Sequence, residues 1–215
     1  MTARSLSVYV DAMLDRLLLT CGLVAGPLFT VAYLTEGALR AHYRPLRHPV
    51  SSLAIGDRGW TQTVNFMVGG LLSLAFAAGL WRAGPSHWGA SLVGVWAIGL
   101  LCAGIFRTDP VSGFPPGTPD LPQPNTRQGL LHDLFSLAGF VALAAACVVF
   151  AWSGTPGWAI YSVVSGVLFA VTMVLASAAF AQKESLVDLG GLIQRVSVTI
   201  GWTWLAVLAV RTLNG

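Results

Sequence analysis

The sequence predicts an all-α fold: a polytopic integral membrane protein built as a six-transmembrane-helix bundle. Three observations carry that prediction. The chain of 215 residues is 55% hydrophobic and only 10% charged, whereas a soluble domain is about a quarter charged. Its mean hydropathy is +0.71. Six apolar segments, at 17–37, 61–82, 88–106, 129–152, 158–181 and 189–211, punctuate it. Each reaches the length of about 20 residues needed to cross about 30 Å of hydrocarbon. Helices are required, because lipid offers no partner to an exposed backbone N–H or C=O.

Residues 1–16 read as an amphipathic lead-in, and 17–215 as one six-helix transmembrane domain. Within the lead-in, Leu6, Val10, Met13, Leu14 and Leu17 recur at helical spacing opposite Arg4, Asp11 and Asp15. That pattern suits a helix lying in the membrane interface. Asp11, Asp15 and Arg16 interrupt any run resembling the core of a cleavable signal. The first span, 17–37, leads to a long loop at 38–60 that contains "HPVSSLAIGDRG". The second span opens on "WTQTVNF", and a short turn at 82–89 leads to the third, which closes on "FRTD". The loop at 107–128 is long and dense in proline, a composition that excludes helix and favours rigid, extended chain. It is expected to fold over one membrane face as an ordered cap. The fourth span opens on "LLHDLF", a short turn at 153–157 leads to the fifth, and the sixth carries Gln194 and Arg195 in its first turns.

The three cysteines, Cys21, Cys102 and Cys147, sit within apolar segments and read as small hydrophobes. The eight tryptophans sit mostly near the span ends, as an aromatic belt does. The net charge of +3 is carried by scattered arginines, with no footprint for nucleic acid.

With six spans, loops one, three and five share one face, while loops two and four and both termini share the other. Nearly all polar residues beside the spans fall on the first face: His48, Ser51, Ser52, Asp57, Gln62, Asn65, Arg107, Asp109, His132, Asp133, Gln194 and Arg195. Arg195 lies one to two turns inside a span, where an ionisable group is costly unless it is paired or hydrated. An ion pair with Asp109 or Asp133 inside the bundle is expected, with snorkelling to the headgroups as the alternative. His48 and His132 are candidate general acids or bases, with Asp109 and Asp133 to orient them. Arg107 and Arg195 are candidates for holding an anionic group. Ser52, Asn65 and Gln194 complete the candidate substrate-binding set. No metal or other cofactor is expected, because HxxxH, HxxE and HExxH spacings are absent. G-x-S-x-G is absent too, and "HPVSSL" reads as a proline turn followed by a serine cap of a short helix.

The blocks "HPVSSLAIGDRGWTQTVNFMVGGLLSLAFAAGL", "CAGIFRTDPVSGFPPG", "GLLHDLFSLAGF" and "GLIQRVSVTIGWTW" together resemble the bacterial six-span membrane family catalogued as domain of unknown function 998. The resemblance runs from about residue 15 to 212 and implies six helices and a bacterial, multi-pass inner-membrane location. The first block also has a more distant resemblance to the Frag1/DRAM/Sfk1-like membrane proteins, which implies a link to lipid.

Three functions are compatible with these residues. One is an enzyme using acid/base chemistry on a lipid-like or amphipathic substrate. Another is a non-enzymatic protein that binds or transports a lipid or small molecule. The third is a polar cluster that only ties helix ends together. The expected partners are membrane lipid and an amphipathic small molecule. Loops one, three and five carry seven Lys/Arg (Arg40, Arg44, Arg47, Arg58, Arg107, Arg127 and Lys183) against four on the other face, which directs the polar face to the cytoplasm.

Overall fold

A computed structural model describes residues 3–214. Among the described residues there are six long helices and no strands: α1 Ala3–Leu39, α2 Gly59–Ala83, α3 His87–Ile105, α4 Arg127–Ala151, α5 Pro156–Phe180 and α6 Gly190–Asn214. All six are long and apolar enough to cross a membrane. The chain therefore ends on the side where it began.

The local chemistry explains where the helices start. Ser86, Thr126 and Thr155 each accept a hydrogen bond from the backbone N–H three residues on, the usual N-cap arrangement. Pro156 occupies the first turn of α5, where its missing N–H costs nothing. No side chain of its own caps α6. Instead the first long loop folds back, and its Arg47 and Leu46 carbonyls accept from the Gly191 and Leu192 N–H groups at 3.2 and 2.9 Å. A Cβ on Gly191 would collide with the Pro45 and His48 carbonyl oxygens, so this close approach of loop to helix needs glycine.

The lead-in is continuous with the first span, giving one helix of 37 residues. At 1.5 Å per residue it is about 55 Å long, well beyond the hydrocarbon thickness. Its Arg4 and Leu6 side chains lie outside the described residues. Asp11 and Asp15 both face Arg82 at the end of α2, at 3.3 and 2.5 Å.

The helices pack as a ring in chain order, α1 against α2 and so on round to α6, which returns to α1. Each helix contributes one aromatic side chain to a plate across the middle: Phe29, Phe66, Trp96, Phe140, Phe169 and Trp202. Their ring centroids lie 5.5–6.4 Å apart, the range for tilted and edge-to-face contacts. The tryptophans thus divide in two. Trp60, Trp81, Trp88 and Trp152 are exposed near helix ends, as a belt requires, whereas Trp96, Trp158, Trp202 and Trp204 are buried and form core.

The half of the bundle next to the α4–α5 turn is closely packed. There the Trp158 indole N–H donates to the Phe150 carbonyl at 2.8 Å, and Gly166 lies against Cys147. The other half is capped by loops. The carboxylate of Glu36, buried at the end of α1, accepts from Arg40 and Arg58, and Arg40 reaches the Leu53 and Ile55 carbonyls. The proline-rich loop docks on the first loop: Phe114 is buried against Tyr43 and His48. Arg47 binds the Ser112 carbonyl, Asp120 and Asp188, so one guanidinium joins the three loops of this face. Gln182 adds a bond to the Ser112 hydroxyl.

Candidate functional site

Between the aromatic plate and the proline-rich cap lies a cavity of about 670 Å³. Phe29, Phe66, Trp96, Phe140 and Trp202 form its inner end, at mid-depth of the bundle. Its outer end is mixed: Thr108, Asp109, Ser112, Thr118, Asp120, Gln123, Asn125 and Thr126 of the cap alternate with Pro110, Val111, Pro119, Leu121, Pro122 and Pro124, and His132, Asp133 and Ser136 of α4 with Ser51, Ser177 and Gln194 complete it. Phe140 of α4 and Phe169 of α5 meet in a ring contact. Beyond it Asp133, Ser136 and Leu137 of α4 and Met173, Ser177 and Phe180 of α5 line the cavity. Leu137 is 60% exposed, so it belongs both to the cavity wall and to the outer surface.

His132 is the most constrained polar group of the wall. It is buried, and its Nδ1 lies 2.9 Å from the Phe106 carbonyl oxygen. A carbonyl only accepts, so Nδ1 carries a proton, and in the neutral form of the ring Nε2 is the lone-pair acceptor. Nε2 has no protein partner, yet it is not among the sealed orphan atoms of the interior. It therefore has access to open space, and the open space beside His132 is the cavity.

Asp109 and Asp133 line the same space. Asp109 accepts from both the backbone N–H and the hydroxyl of Thr126, each at 2.7 Å, and so fastens the end of the cap to the start of α4. Asp133 accepts from the Asn125 amide at 3.2 Å. Gly129 leaves the room for Asp109, since a Cβ there would collide with its carboxylate. Gly129→Ala is expected to push Asp109 off Thr126 at a cost of about 0.5–1.5 kcal/mol, the net worth of an ordinary hydrogen bond. Limited proteolysis checks it: cleavage between 110 and 126 should become faster than in the parent protein.

The cavity unites four of the sequence-predicted site residues, Asp109, His132, Asp133 and Gln194, and leaves five outside its lining. His48 is buried behind the wall. Its Nδ1 accepts from the Arg44 N–H at 2.9 Å, and its ring also hydrogen-bonds the Ser112 backbone. His48 does not itself line the cavity. Ser52 is fully buried with its hydroxyl unpaired, while the neighbouring Ser51 reaches the cavity. The expected serine cap is also corrected: Gln194 Oε1 accepts from the Val50 N–H at 2.8 Å, capping the short 3-10 turn Val50–Ala54 from α6. Asn65 donates to the Phe29 carbonyl at 3.1 Å and ties α2 to α1. The Arg107 side chain is exposed, and only its backbone N–H is engaged, by Gln128.

Arg195 faces the bundle, but the expected aspartate pair does not form. One guanidinium nitrogen donates to the Pro45, His48 and Gly191 carbonyls at 2.6, 3.2 and 2.9 Å. The other donates to the Tyr43 hydroxyl at 2.5 Å. The Tyr33 and Tyr43 rings lie 5.5 and 5.7 Å from the guanidinium carbon. The reason is topological. The first loop folds onto the start of α6, while Asp109 and Asp133 sit at the junction of α3 with α4 and are held by Thr126 and Asn125. Burial raises the Tyr43 pKa although the nearby Arg195 charge opposes it, so the phenol stays protonated and donates to the His48 and Pro49 carbonyls.

Sequence reasoning missed the inner end of the cavity. Trp96 and Trp202 lie far from their span ends, a position at odds with a belt and the one signal that marked them as interior. It also missed Arg47 and Tyr43, whose importance comes from where the first loop lands.

This arrangement defines a multi-pass, six-helix membrane protein with a capped, one-sided cavity. Residues 23–211 match the family model described as "Protein of unknown function (DUF998)", and the chain belongs to that family. No curated protein and no solved structure matches it.

Proposed function

We propose that this protein binds a lipid-like amphiphile in the cavity, with the apolar tail on the aromatic plate and the polar head beneath the cap. The observation that carries the reading is the change in lining along one cavity, from aromatic at mid-bundle to a mixture of polar side chains and prolines at the membrane face. A volume of about 670 Å³ lies within the usual range for small-molecule sites. Entry between the cap-side halves of α4 and α5 suits a ligand that arrives from the bilayer, since residues of both helices line the cavity there.

Purification in detergent followed by mass spectrometry of the organic extract tests the reading. The parent protein should carry an amphiphile near one per chain. Ser136→Trp and Ser177→Trp, which plug the gap between α4 and α5, should lose at least about nine-tenths of it while melting like the parent. Equal lipid content in parent and plugged variants would overturn the proposal.

A second reading, an enzyme acting on that amphiphile, is favoured by one observation: the fixed tautomer of His132 leaves Nε2 as an acceptor beside the cavity. An imidazole held this way is suited to take a proton from a bound hydroxyl or water. His132→Gln should then retain the amphiphile but abolish its conversion, followed by mass spectrometry over time.

A further inference from the structure

We infer that the head group held under the cap is a primary ammonium, so that the ligand is a long-chain amine rather than an anionic lipid. This rests on the binding reading above and specifies its ligand. Three aspartates and no arginine or lysine line the cavity. Asp120 is neutralised by Arg47 at 3.0 Å. Asp109 and Asp133 form no ion pair; their hydrogen bonds come from the uncharged Thr126 and Asn125. The independent observation is His132, which is only 4% exposed, lines the same cavity and has Nε2 unpartnered. All three groups accept hydrogen bonds and two are anionic. A primary ammonium supplies three donors and one positive charge to such a set. A phosphate or sulfate brings only acceptors and a charge of the wrong sign, and the two arginines that could have reversed this, Arg107 and Arg195, lie outside the lining.

The test uses the full chain in phosphatidylcholine nanodiscs with two probes of equal tail, tetradecylamine and tetradecyl sulfate. Binding is read by native mass spectrometry and by quenching of tryptophan fluorescence with brominated analogues of each. The amine should bind at least about tenfold more tightly than the sulfate, a difference of about 1.4 kcal/mol. Asp133→Asn keeps an acceptor for Asn125 and should remove most of that preference. Ser177→Trp should block the amine.

Equal binding of the two probes, or an amine preference unchanged in Asp133→Asn, overturns the ammonium assignment. If the plug still blocks both probes in that case, the amphiphile-binding reading stands alone. No binding of either probe, together with equal co-purified lipid in parent and plugged proteins, removes both.

Discussion

Arg195→Ala should be the most damaging single substitution on the loop face, costing at least the stability lost to one stranded buried acceptor, about 1–3 kcal/mol. The expected effect follows from what the guanidinium holds. Three carbonyls from two segments and the Tyr43 hydroxyl converge on it. Hydrogen bonds from a charged donor are the strong kind, and acceptors stranded in a buried site bear the full cost of desolvation. Alanine would leave the first loop held on α6 only by the Gln194 bond to Val50 and the backbone bonds to Gly191 and Leu192, and would loosen the packing of Phe114 that holds the cap. Arg195→Lys keeps the charge but cannot spread its donors over the same fan, so it should recover only part of the loss. Arg211 provides the contrast. It is exposed near the opposite face and stacks on Trp158 at 4.5 Å. Arg211→Ala should cost no more than about 1 kcal/mol, the range for an exposed cation–π contact. Thermal unfolding of the three variants in one detergent checks the order, and equal melting of Arg195→Ala and Arg211→Ala would contradict it.

The six spans were legible because lipid imposes a simple rule on sequence. A backbone that must satisfy itself over about 30 Å needs a long apolar run, and long apolar runs can be counted. The starts read for spans three, four and five, 88, 129 and 158, fall one to two residues inside the observed His87, Arg127 and Pro156. The partner of Arg195 was not legible. Distance along the chain made Asp109 and Asp133 look like the available counter-charges, but Asp109 lies in the cap and Asp133 on α4, which is not a neighbour of α6 in the ring. A buried guanidinium can be satisfied by backbone carbonyls, and no residue type announces those.

The same limit applies to the cavity. Its outer end was partly legible, because Asp109, His132 and Asp133 cluster at the junction of spans three and four. Its inner end depends on six side chains from six helices meeting at one depth. Each of those aromatics is an ordinary apolar residue within its own segment. Only the ring order of the helices turns them into a plate, and hydropathy carries no information about ring order.

His48 leads to the last expected result, a loss of stability on acidification that belongs to one buried imidazole. Its pKa is lowered from 6.5 to about 4. Burial is the main cause; the hydrogen bond to the Ser112 backbone opposes it, and the Arg47, Arg44 and Arg195 charges reinforce it. The folded protein therefore resists protonation that the unfolded chain accepts. Above pH 6.5 the group is neutral in both states, and its contribution is fully present. As pH falls from 6.5 towards 4, the unfolded state takes up a proton and the folded state does not, so stability declines. Below about 4 both states are protonated and the decline from this group ends. The whole step is worth about 3 kcal/mol at 1.36 kcal/mol per pKa unit. Carboxylates titrate near the lower end of the window, so the parent must be compared with a variant that lacks only the imidazole. His48→Asn retains an acceptor for the Arg44 N–H and has no proton to gain. Unfolding of both proteins in the same detergent at pH 7 and pH 4.5 should show the parent losing about 2–3 kcal/mol more than the variant. An equal loss in the two would mean that the imidazole is hydrated and already titrates normally, and that the cap does not seal it.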